Sequence, residues 1–185
     1  KERFYDEEFP PIESTIIPLK QIFGDIWTTV TWNRAENLIK PLLKSQTGKF
    51  KDFSLKSLTQ KIAPLEYIHS AFRSLSSNPI LINRLIDLES LKKDESFKIW
   101  INQSGDWKQV KIDINFPCVK YQGNKVSYFL GQPTEKFEIW PMAIQKALAK
   151  LHNGYHRLLM GDFCNLMRDL TRAPVIKYFI EKYQH

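Results

Sequence analysis

Two short runs between residues 97 and 114 constrain the fold more tightly than anything else in the chain. Phe97-Lys98-Ile99-Trp100-Ile101 and Val110-Lys111-Ile112-Asp113-Ile114 both alternate apolar and polar side chains, the period of a strand with one face in a core. A polar stretch containing Gly105 separates them, so they are expected to pair as a hairpin. Helical spacing lies upstream. From Leu65, the residues Leu65, Ile68, Ala71, Phe72 and Leu75 recur at three and four, one face of an amphipathic helix expected to be the spine of the core. Pro64 suits its first turn, and the carboxylate of Glu66 complements its positive end.

The remaining elements follow from similar signals. Phe4 to Pro11 is acidic, aromatic and broken by proline, and is expected to run extended across the surface. Ile26 to Trp32 is rich in β-branched and aromatic residues and reads as a strand. Asn78-Pro79 opens a helix expected over Ile80 to Leu88, with Leu81, Leu85 and Leu88 on one side. Cys118 to Leu130 reads as a second hairpin turning at Gln122-Gly123-Asn124. Trp140 to Tyr155 is helical, with Pro141 in the first turn, Asn153-Gly154 as a left-handed stop, and Ala147 and Ala149 small enough for close packing. An amphipathic stretch, Val175 to Tyr183, closes the chain.

Hairpins and helices in this mixture predict an α+β fold. At 185 residues and 43% hydrophobic content, the chain can bury one core. The division expected is an acidic extended segment, residues 1–25, and a globular domain, residues 26–185. No apolar run reaches the roughly 20 residues that span a bilayer. The chain starts Lys1-Glu2-Arg3 without Met and is expected to be a piece of a longer one. Two cysteines, Cys118 and Cys164, are too few for a disulfide framework, so a reducing cytoplasmic or nuclear setting is expected. The net charge is +7. The first 25 residues are acidic on balance, so the positive excess lies in 26–185 and suits an acidic partner surface or an ordinary solvated one. The tryptophans fall where strands and helix entries need bulk and are read as core, which argues against nucleic-acid binding. The seven glycines are scattered and form no phosphate loop.

Candidate chemistry is sparse. Cys164, His152 and His156 could be imagined as a nucleophile and bases or as metal ligands, but Asn153-Gly154 should separate the histidines and no carboxylate supports them. A buried cysteine with two surface histidines is the plainer reading. His69 lies one helical turn after Glu66, and an acid and a histidine alone define no reaction. The sequon Asn102-Gln103-Ser104 has no meaning in a cytosolic protein.

Read in order, these pieces resemble the first lobe of the calpain cysteine proteases. The calpain active-site helix, Q-G-x-L-G-D-C-W-x-L-A-A-x-x-S-L, aligns with Gln60 to Leu75 without a gap: Gln60, Ala71, Ser74 and Leu75 match. Its glycines fall on Lys61 and Pro64, its aspartate on Leu65, its cysteine on Glu66 and its tryptophan on Tyr67. Around it, Phe4, Asp6, Phe9 and Pro10 fit F-x-D-x-x-F-P, and Trp32 and Arg34 fit W-x-R. Trp100, Gly105, Trp107, Val110, Ile112, Asp113 and Pro117 fit the family hairpin, with Ile114 for its second aspartate. Trp140, Lys146, Ala147, Ala149, Lys150 and Tyr155 fit W-x-x-L-x-E-K-A-Y-A-K-x-x-G-x-Y, and Asp169 and Thr171 fit D-x-T-G-G, whose glycines are Arg172 and Ala173.

The resemblance implies a calpain core first lobe without its catalytic cysteine. The histidine and asparagine of that family stand on a second lobe. A carboxylate at Glu66 cannot form a thioester, and it would repel the oxyanion that Gln60 would otherwise stabilise. Ser57 replaces a calcium-ligand aspartate; calcium wants six to eight oxygens with several carboxylates, so no such metal site and no cofactor are expected. The expectation is therefore a pseudoprotease serving as a structural or protein-interaction module, with tubulin or another cytoskeletal or ciliary complex as partner. The alternatives are a divergent calcium-dependent cysteine protease whose second lobe lies elsewhere, or a regulatory subunit of one.

Overall fold

The structure, a computed structural model, describes residues 3–15, 30–44, 65–120, 126–128 and 139–178. The boundary expected between 25 and 26, the residues Ser57, Gln60 and Pro64, and the turn at 122–124 lie outside them. The fold is α+β, with two small antiparallel sheets among helices.

The first sheet joins β1 (Val30–Arg34), β5 (Asn115–Lys120) and β6 (Val126–Tyr128), with β5 in the centre. The second joins β2 (Ile86–Asp87), β3 (Phe97–Gln103) and β4 (Asp106–Ile112), with β3 in the centre. The hairpin read from the alternation is β3–β4. Its register sets Ile99 opposite Val110, Trp100 opposite Gln109 and Asn102 opposite Trp107. Ser104 and Gly105, at φ 55° and 99°, make a tight turn whose two positive φ values match the twist of the strands. Phe97, Ile99, Ile101, Val110 and Ile112 are buried. Asp113 leaves the strand after Ile112 and is fully buried. Asn102, the sequon asparagine, is 2% exposed beside the turn.

The helices are α1 (Glu36–Lys44), α2 (Glu66–Ser76), α3 (Pro79–Leu85), α4 (Glu89–Asp94), α5 (Trp140–Leu151) and α6 (Phe163–Thr171). The amphipathic face read from the sequence is the buried face of α2: Ile68, Ala71, Phe72 and Leu75 are all 0% exposed. It is not the spine. That role belongs to α5, buried at every position from Trp140 to Ala149, which packs on β3 and β4. Trp140 meets Phe72 edge to face at 5.3 Å. The left-handed stop is in place: Asn153 has φ 57°, and Gly154 N–H reaches back to Ala149 O at 2.8 Å.

One helix is shorter than its periodicity suggests. The segment expected over Ile80 to Leu88 ends at Leu85, because Ile86 and Asp87 pair with Ile99 and Lys98 at the edge of β3. Leu88 then leads into α4. Sheet pairing, invisible to a three-and-four spacing, wins over helix continuation. The described part of the final stretch, residues 172–178, has no helix or strand, and Ile176 and Tyr178 are 70% and 83% exposed.

Candidate functional site

The N-terminus of α2 is the place the sequence points to. Leu65 is buried and precedes the helix with no side-chain cap. Glu66 occupies the first helical position and is exposed, where its charge suits the helix dipole. Tyr67, the next residue, turns inward. Its hydroxyl donates to Leu158 O at 2.6 Å, and burial pushes its pKa up to about 12. The ring lies across Gly161, in the turn between a 3₁₀ segment (Tyr155–Met160) and α6; a Cβ added there would fall 1.9 Å from Tyr67 Cζ. Tyr67, Arg157, Leu158, Gly161 and Asp162 share a cleft of about 320 Å³ with the exposed side of α6.

Among the described residues around this cleft, no hydrogen bond joins a thiol to an imidazole. His69 is 6% exposed on the inner face of α2. Burial holds its pKa below the ordinary value, helped by Arg73 and opposed by Glu66. Asp162 caps α6 by accepting from Asn165 N–H at 2.9 Å, and Lys177 lies 2.7 Å away. These contacts, the lysine foremost, lower its pKa. Cys118 is buried in β5, 3.7 Å from the Thr31 hydroxyl. Cys164 is half-buried rather than buried, and it stands second in α6, in the first turn of a helix. His152 is exposed and His156 half-buried beyond the helix stop. Among the described residues no group of three or more His, Cys, Asp or Glu could hold a metal ion.

The residues that carry the resemblance far from α2 meet elsewhere, in a buried ionic network. Lys146 and Asp113, both fully buried on α5 and after β4, lie 2.6 Å apart. Lys146 also donates to Asn115 O at 2.8 Å and lies 5.2 Å from the centre of the Trp32 ring. Burial pulls its pKa down, and Asp113 opposes that shift. One turn along α5, Lys150 donates to Asp6 at 2.8 Å and to Lys111 O at 3.0 Å, and pairs with Glu8 at 2.9 Å. Burial works against its charge, but the bonds to Asp6 and Glu8 hold its pKa above the ordinary value. Asp6 N–H in turn donates to Asp113, and Phe9 packs 6.0 Å from Tyr155. The opening segment runs over the surface as expected but is pinned to it by Asp6 and Phe9, which are 1% and 5% exposed.

A further feature contradicts the sequence reading. Trp140 is core, but Trp100 and Trp107 are 36% and 38% exposed. The register explains it: Trp100, Gln109, Asn102 and Trp107 share the face of β3–β4 turned away from Ile99, Ile101 and Val110. With Leu81, Arg84, Leu85, Leu170, Thr171 and Arg172 the two rings line a groove of about 570 Å³. The alternation carried the signal, since it sets Trp100 on the polar side of its strand.

A family profile described as calpain family cysteine protease matches residues 4–185. Calpain-13 of Rattus norvegicus is 26% identical over 181 residues, 94% of this chain and 25% of the relative. Calpain of Schistosoma mansoni is 27% identical over 172 residues, 90% of this chain and 21% of its own length. Calpain-B of Drosophila melanogaster is 40% identical over 86 residues, 46% of this chain and 8% of the relative. The chain thus spans a quarter or less of these three relatives.

Proposed function

The chain belongs to the calpain family of cysteine proteases, and on that premise we propose that it is a catalytically inactive lobe acting as a structural or protein-interaction module. One observation carries the proposal. The helix start that aligns with the family's nucleophile presents the exposed carboxylate of Glu66, followed by a tyrosine locked onto Leu158 O. A carboxylate does not replace a thiolate in acyl transfer, because the tetrahedral intermediate and its oxyanion would form beside a fixed negative charge. The partner proposed is an acidic protein surface, with a cytoskeletal polymer such as tubulin in the first rank. Among the described residues no helix is long and apolar enough to cross a membrane.

A second reading has one observation in its favour. Cys164 stands in the first turn of α6, a position from which a thiol could serve a divergent protease completed by another lobe. Iodoacetamide labelling of the native protein, with and without calcium and followed by peptide mapping, separates the two. Slow labelling of both cysteines under either condition is the expected result. Rapid, calcium-dependent modification of Cys164 would favour the protease. Co-sedimentation with polymerised tubulin, at two salt concentrations and with the acidic tails removed in parallel, tests the partner; absence of pelleting would remove direct tubulin binding.

A further inference from the structure

The groove on the outer face of β3–β4 combines exposed aromatic rings with arginines. Two tryptophan rings, each more than a third exposed, stand on the strand face that an alternating sequence normally gives to polar side chains. Leu81 of α3 and Leu170 of α6 continue the apolar floor, and Arg84 and Arg172 line the same groove. None of the described residues lining it is acidic, and neither arginine has an ion-pair partner among the described residues. Arg172 is also held at a cost. It sits at the left-handed end of α6 with φ 60°, where glycine is the cheaper residue.

We propose that this groove is a docking site for an acidic peptide segment of a protein partner, which sets an apolar side chain between Trp100 and Trp107 and its carboxylates against Arg84 and Arg172. The proposal rests on reading the chain as a non-catalytic interaction module and names the surface that such a module uses. Tryptophan and arginine in one depression are the residue types that dominate protein interfaces, because they combine large apolar contact with oriented charge. The guanidinium groups, without an ion-pair partner among the described residues, favour a negatively charged occupant. A nucleic acid fits less well. Its backbone asks for a track of cations neutralising successive phosphates, whereas two arginines line this groove.

The test uses a short glutamate-rich peptide with one central leucine, its serine analogue, and a lysine-rich control, titrated against the chain with tryptophan emission as readout. Saturable binding of the first peptide is expected, at least tenfold tighter than either control. Trp107→Ala should weaken it at least tenfold, and Arg84→Glu should do the same while flattening the salt dependence. Arg172→Gly is the decisive variant, since it relaxes the backbone and removes the guanidinium. It should raise the melting temperature while weakening the peptide severalfold, a pair of changes that misfolding cannot produce. Binding indifferent to all three variants, no binding at all, or a single-stranded oligonucleotide displacing the peptide from the groove would each overturn the site. Thiol labelling is read separately, so failure of the groove and failure of the non-catalytic reading are distinguished.

Discussion

Lys146 shows how one side chain can organise a core. Its ammonium is fully buried, 2.6 Å from Asp113, and a charge so placed is tolerated only because its partner and Asn115 O replace water. Lys146→Met should therefore destabilise the protein by about 3–5 kcal/mol, since it strands the Asp113 carboxylate. Adding Asp113→Leu should not recover the loss, because Asp113 also accepts from Asp6 and Asn115 N–H; denaturant unfolding of the three proteins checks both statements. His69 supplies a pH signature. Its folded pKa lies below the ordinary value of 6.5, so the unfolded chain takes up a proton first as pH falls. Its contribution is complete above 6.5 and declines as pH falls from there through the lower folded value. His69→Gln should remove that part of the stability slope between neutral and mildly acidic buffer. In the sequence, Glu66 and His69 were legible as residues of α2. The Lys146–Asp113 contact was not, because residues thirty-three positions apart announce no pairing by spacing.

At the scale of elements, periodic patterns were read correctly where no neighbouring strand intervened, and features that depend on a neighbour were not read. The β3–β4 hairpin, the buried face of α2 and the end of α5 each follow from alternation, a three-and-four repeat or an Asn-Gly pair. The end of α3 at Leu85 does not, since it is imposed by the edge of β3. Nor does the exposure of Trp100 and Trp107, which depends on which strand face the helices cover. The turn between the 3₁₀ segment and α6 is a further case. Gly161 has an ordinary φ of −82°, so its small size matters for space rather than for backbone freedom. Gly161→Ala should cost about 1–3 kcal/mol through overpacking against Tyr67. Tyr67→Leu should relieve much of it, so a double-mutant cycle in thermal unfolding should give clear non-additivity; simple additivity would mean that the ring and the turn are uncoupled.

At the scale of the whole molecule, early residues are tied to later elements by ion pairs and ring contacts. Asp6 meets Lys150, Phe9 meets Tyr155, and Arg34 joins Glu36 and Glu95 at 3.2 and 2.5 Å. Removal of residues 1–9 takes away a buried phenylalanine and the partner of Lys150. It should lower stability by about 3 kcal/mol or more, as core phenylalanine truncations do, with the loss read as a lower melting temperature. The F-x-D-x-x-F-P match was legible in the sequence but the closure was not, because an acidic, proline-broken segment by itself suggested only a run extended across the surface.

The spacing of that network also dictates an order of events during biosynthesis. Asp6 and Asp113 leave the ribosome long before Lys146 and Lys150, and the enclosed loops run to 33 and 144 residues. An emerging polypeptide can shape the β3–β4 hairpin from neighbours alone, yet it carries two carboxylates awaiting cations not yet translated. Chains stalled before residue 146 should stay open to protease, and those stalled beyond 150, with room to clear the exit tunnel, should become resistant. The lock that joins Asp6 and Asp113 to α5 closes only once Lys146 and Lys150 have been made.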